Sequence, residues 1–137
     1  MDPSATKTTS REKARQLLVY ESEECYTPVT GDTAVQVCDR LRLTLSTLMG
    51  HAAFRSHLER ALTLAKREDG SFEDVKIRDN GSLEGLDGVA DGTGLAVVAS
   101  LVALLITFLG QELTVRLLHD VWPALAGAGS NLKGMDQ

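Results

Sequence analysis

The stretch LAVVASLVALLITFLG, residues 95–110, has no charged residue and constrains the fold of this chain more than any other segment. As an α-helix those sixteen residues span about 24 Å, short of the roughly 30 Å of a bilayer's hydrocarbon core. The residues that follow, QELTVRLLHD, bring in Glu112, Arg116 and Asp120, so a longer helix does not mean a longer apolar span. What continues is a stripe. Val102, Ile106, Leu109, Leu113, Leu117 and Val121 recur every three or four residues, with charges on the other side. No basic anchors flank the stretch, because the preceding segment is acidic and rich in glycine. The pattern predicts one long core helix over residues 95–122, ended where Trp122 precedes Pro123, and weighs against a membrane role.

A second stripe on this helix is made of small residues only: Ala96, Ser100, Ala103, Thr107, Gly110 and Thr114. A seam of small side chains lets another helix approach closely. Leu101, Leu104, Leu105 and Phe108 are apolar on further faces, so the helix is hydrophobic nearly all round and requires neighbours on several sides. Residues 34–67 are the candidate to fill the seam from within the chain. The shortage of other apolar helices points to a partner chain as well, and a symmetric second copy is the simplest closed solution.

The rest of the chain is organised around that helix. A length of 137 residues, with 43% hydrophobic and 24% charged residues, suits one domain with a modest core. Residues 1–9 read as a disordered tail and residues 124–137 as a flexible one, leaving a single helical domain over 10–123. A first helix is expected over residues 10–24, where Thr9 and Glu12 have capping-box spacing and Ala14, Leu17, Leu18 and Glu21 share a narrow face. Pro28 and Gly31 interrupt it. Thr33 with Gln36 then opens a helical segment to about residue 67. Its stripe of Cys38, Leu41, Leu45, Leu48 and Ala52 resumes as Phe54, Leu58, Ala61 and Ala65, with a phase jump beside Gly50. That jump means either one kinked helix or two helices, and the pattern leaves both open. Residues 68–94 change regime to glycine and aspartate, and DNG at 79–81 is a hairpin signal. The fold class expected is therefore mainly α: a small bundle of three to four helices with a long Gly/Asp-rich loop holding a short hairpin near residues 75–77 and 83–86.

Legible catalytic chemistry is lacking. His51 and His57 stand six apart, not at the spacing of a helical metal pair, and His119 suits the last turn of a helix. The acidic loop fails the calcium-loop pattern from either Asp79 or Asp87, and DGTGLAV departs from a dinucleotide fingerprint at Val97. Cys25 and Cys38 have no metal-site spacing and read as free thiols. We therefore expect no catalytic residue, no metal and no cofactor. A net charge of −5 argues against a nucleic-acid partner, and the opening residues lack the apolar core of a secretory signal, which fits a cytoplasmic protein. Charge is unevenly distributed. Residues 33–67 carry Arg40, Arg42, Arg55, Arg60, Lys66 and Arg67 against Asp39 and Glu59, whereas residues 68–91 carry eight acids against two bases. Either the loop folds back over the basic helices, or subunits meet head to tail, or the basic face meets an acidic partner.

The segment LVALLITFLGQELTVRLLHDVWP, residues 101–123, resembles the C-terminal helix of small uncharacterised bacterial proteins. The resemblance implies a bacterial origin and a helical fold, and it carries no activity and no functional residues. The expected function is a non-enzymatic interaction or assembly module, such as a regulatory subunit of a larger bacterial complex, acting as a homo-oligomer or with a partner protein. The alternative is a ligand-sensing helical bundle with a pocket near Trp122, Phe108 and Phe54, and a lesser one is a small membrane-associated protein.

Overall fold

The computed structural model describes residues 3–25, 30–68, 70–86 and 94–122. It is mainly helical, with five α-helices among these residues rather than three to four: α1 (Pro3–Cys25), α2 (Gly31–Met49), α3 (His51–Glu68), α4 (Leu95–Leu109) and α5 (Gln111–Val121). Between α3 and α4 lie a 3₁₀ turn (Gly70–Asp74) and two short strands, β1 (Lys76–Ile77) and β2 (Leu83–Glu84). The expected tail over residues 124–137 lies outside the described residues.

Two single glycines raise the helix count. Gly50 has φ 92 and ψ 155, and Gly110 has φ 93 and ψ 157. That corner of backbone space is populated almost only by glycine, and it turns the chain abruptly while costing few helical hydrogen bonds. Each glycine amide still donates to the carbonyl four residues back, Ser46 at 2.9 Å and Ile106 at 2.8 Å. The open question over residues 34–67 resolves as two helices. The single long helix expected over 95–122 is corrected to α4 and α5, since an apolar pattern read through Gly110 hides the break.

The helix starts also differ from expectation. Helix α1 begins at Pro3, where a disordered tail was expected over residues 1–9. Proline's fixed φ suits the first helical position, and residues 4–9 contain no glycine or proline to halt the helix. Helix α2 is capped by Thr30, whose amide donates to Thr33 Oγ1 at 3.0 Å, so the cap sits three residues ahead of the expected Thr33.

Helix α4 is the centre of the molecule, packed by α1, α3, α5 and α2. Residues 96–102, Leu105 and Ile106 are all buried. Much of the apolar surface of α4 is thus covered within the chain, by α1, α3, α5 and α2. Fully buried Phe54, Leu58, Leu17, Leu41 and Leu45 complete the core. Among the described residues, no helix is long and apolar enough to cross a membrane.

The described part of the Gly/Asp-rich region is docked. Phe72, Val75, Leu83 and Leu86 are buried in the core. The hairpin forms where its signal lies, pairing Lys76 with Glu84 and Ile77 with Leu83. At its turn Asn80 Oδ1 accepts from the amide and the hydroxyl of Ser82, at 3.0 and 2.8 Å. Charge alone does not hold this region; four apolar side chains do.

Candidate functional site

The small residues of α4 acquire their meaning from what surrounds them. Helices α1 and α3 both lie on this face but do not meet over all of it, and a groove of about 720 Å³ remains between them. Its floor is Ala96, Ala99, Ser100, Ala103, Ile106 and Thr107 of α4, ending at Gly110 and Gln111. One wall is Ser10 and Arg11 of α1; the other is Leu64, Arg67 and Glu68 of α3. Arg11 and Glu68 pair at 2.7 Å, tying α1 to α3 at the groove's edge.

Polar side chains edge the groove: Ser10 and Arg11 of α1, Arg67 and Glu68 of α3, and Ser100, Thr107 and Gln111. Ser100 is 9% exposed, lines the floor, and its hydroxyl makes no hydrogen bond to the protein among the described residues. Thr107 differs: its hydroxyl donates back to the Ala103 carbonyl at 3.0 Å. Arg67 is exposed on the rim and forms no ion pair among the described residues. The arrangement offers an apolar floor, the buried hydroxyls of Ser10 and Ser100, and two guanidiniums, of which Arg11 is paired with Glu68, which is equipment for holding a molecule.

Five of the six expected seam residues line this groove: Ala96, Ser100, Ala103, Thr107 and Gly110. Thr114 does not. It lies on α5 beyond the break, is 1% exposed, and its Oγ1 is buried without a hydrogen-bond partner. The continuous stripe over 96–114 is therefore corrected to a shorter floor, because the turn at Gly110 rotates every later residue out of phase. Ala99, Leu64, Arg11, Glu68 and Gln111 escaped the sequence reading. Ala99 is another small residue one step off the chosen period; the others are brought in only by tertiary packing.

The six basic residues do not make one face. Arg40 pairs with Glu21 Oε1 at 2.9 Å and lies 5.9 Å from the Trp122 ring centroid. Arg42 stands 3.5 Å from Asp39. The hairpin turn lies against Arg42, so that a methyl group on Gly81 would stand 3.0 Å from its Cδ. Arg55 donates to the Asp79 carbonyl at 3.0 Å and pairs with Glu59 at 3.5 Å. Arg60 is exposed, Lys66 is half-buried, and Arg67 belongs to the groove. The hairpin turn reaches two of the basic residues through the Asp79 carbonyl and Gly81 rather than through an acidic side chain.

The residues expected around a pocket, Trp122, Phe108 and Phe54, lie away from the groove. Phe54 and Trp122 are core residues, and none of the three lines the groove. Trp122 Nε1 donates to Glu21 Oε1 at 3.0 Å, joining the end of α5 to α1 and, through Arg40, to α2. Phe108 points outward, 61% exposed, with its ring edge-on to His57 at 5.0 Å between centroids. The histidines stand apart, and no cluster of three metal-ligating side chains occurs among the described residues. Cys38 is a free thiol; burial first, and the neighbouring Asp39 carboxylate second, push it up to about 12, so it stays protonated and a poor nucleophile.

No protein family matches this chain, and no curated protein or solved structure is significantly similar to it.

Proposed function

We propose that this protein is a non-enzymatic helical binding module that acts by holding a partner molecule in the groove between α1, α3 and α4. The observation that carries this reading is a groove over the small residues of the central helix, deep at Ala96, Ala99 and Ser100 and open at Thr107 and Gly110. Proteins rarely leave such space against a central helix unless something occupies it. Such a module serves a larger assembly as a regulatory part.

The test exploits the emptiness of the site. Overfilling a packed helix seam costs about 1–3 kcal/mol. Ala103→Leu projects into open groove instead, so its melting temperature should stay near wild type. Nile red, a neutral apolar dye, should brighten with the wild-type protein and fail to brighten with Ala103→Leu. A strong loss of stability in Ala103→Leu, or dye binding that survives it, would count against the groove as the contact site.

A second reading, self-assembly, draws on a different surface. Phe108 and, at 50% exposure, Leu113 present bulky apolar side chains on either side of the Gly110 turn. A homo-oligomer formed there has a mass in multiples of 14.7 kDa that grows with concentration, and Phe108→Ser returns it to the monomer. A wild-type chain that stays monomeric at high concentration removes this reading and leaves the groove untouched.

A further inference from the structure

We infer that the groove's occupant is a small anionic amphiphile, an acidic head group on one flexible apolar chain, with its head at Arg67 and its chain along the α4 floor. The inference rests on the groove reading above and adds the chemistry of what fills it. Size comes first: about 720 Å³ lies within the roughly 300–1,000 Å³ typical of small-ligand sites. The floor comes second. Ala96, Ala99, Ala103 and Ile106 give apolar contact without a donor or acceptor, which suits a hydrocarbon chain.

The polar groups then select the head. Ser100 is nine-tenths buried and lines the floor with no hydrogen-bond partner among the described residues, so a ligand oxygen there meets an otherwise idle hydroxyl. At the rim, Arg11 is already engaged by Glu68 at 2.7 Å, which cancels one charge of each sign. Among the described residues, Arg67 is left on the groove without an ion-pair partner. A planar guanidinium at the mouth of an apolar channel pairs with a carboxylate or a similar oxyanion, and such charge-assisted bonds are the strong ones. A cationic head would face Arg67 and find only a carboxylate that is already paired.

The experiment uses the full chain with Nile red bound, displaced by dodecanoate, dodecanol or dodecylammonium, each below its own aggregation threshold. Dodecanoate should displace the dye at a concentration about tenfold lower than the other two, the scale of one charged hydrogen bond. Arg67→Glu should remove that preference and Arg67→Lys should keep most of it. Ala103→Leu and, at an exposed position of the same floor, Thr107→Leu should each abolish both dye and dodecanoate binding while melting like wild type. Equal displacement by all three compounds, or a preference unchanged in Arg67→Glu, overturns the anionic ligand while the groove reading stands. Dye binding that survives both Ala103→Leu and Thr107→Leu overturns the two together.

Discussion

Helices α2 and α3 meet at Gly50, and α4 and α5 meet at Gly110, with backbone angles that agree within a few degrees. After each turn the chain resumes in the same way: the Gly50 carbonyl accepts from Phe54 and the Gly110 carbonyl accepts from Thr114, both at 3.1 Å. The surroundings differ. The α2–α3 pair is strapped from outside by the hairpin, through Arg42 and the Arg55 bond to Asp79. The α4–α5 turn has exposed Phe108 and Leu113 beside it, and α5 is fastened at its far end, where Trp122 reaches Glu21. The same local break is thus stabilised once by a surface strap and once by a buried anchor. What a glycine turn permits is local; what holds the resulting angle is tertiary.

The buried anchor should matter most. Trp122→Ala removes a fully buried ring and a hydrogen bond to a buried carboxylate, at a cost of about 3–5 kcal/mol. Urea denaturation measures this directly, and a loss below about 1 kcal/mol would mean that α5 is not held from that end.

Next come the two glycines. A methyl group at either position meets nothing within 4 Å, so Gly50→Ala and Gly110→Ala carry backbone strain without a clash. Each should cost about 1–3 kcal/mol, and the two costs should be close to each other. Circular dichroism sharpens the comparison. If Gly110→Ala gains helix and loses little stability, α4 and α5 have merged into the continuous helix their apolar stripe suggests, and the equivalence of the two turns fails.

The smallest effect belongs to the strap. Arg55 is partly exposed, and Arg55→Ala should cost no more than about 1 kcal/mol. Its signature is local: faster amide exchange over residues 76–84, with the melting temperature nearly unchanged. A large global loss would show that the hairpin is integral to the α2–α3 angle, as Trp122 is to α5.

Why the sequence reveals one turn and conceals the other follows from the side chains around each. Helices α2 and α3 are amphipathic, so a break at Gly50 shows as a phase jump between Ala52 and Phe54. Helix α4 is apolar nearly all round and offers no polar face against which a change of phase is visible. The stripe through Leu109, Leu113 and Leu117 therefore looks unbroken, yet Leu113 is exposed and Leu117 is buried. The groove was half legible for the same reason. Residue size along α4 pointed to Ala96, Ser100, Ala103 and Thr107 without any knowledge of the fold. The walls at Arg11, Leu64 and Glu68 come from other helices, and no spacing rule within one segment reaches them.

The sequence by itself determined that this protein is mainly helical, that a central apolar helix starts at residue 95, that a hairpin forms at the DNG signal, and that small residues face one side of that helix. Each of these depends on the chemistry of neighbouring residues in the chain: apolar periodicity, turn propensity and side-chain volume. Tertiary structure alone decided that α1 and α3 stop short of closing over that small face, that Arg11 is engaged and Arg67 is not, and that Glu21 receives both Arg40 and Trp122. Those outcomes depend on the angles at which whole helices cross, and such angles are set by packing summed over the entire core rather than by any one segment.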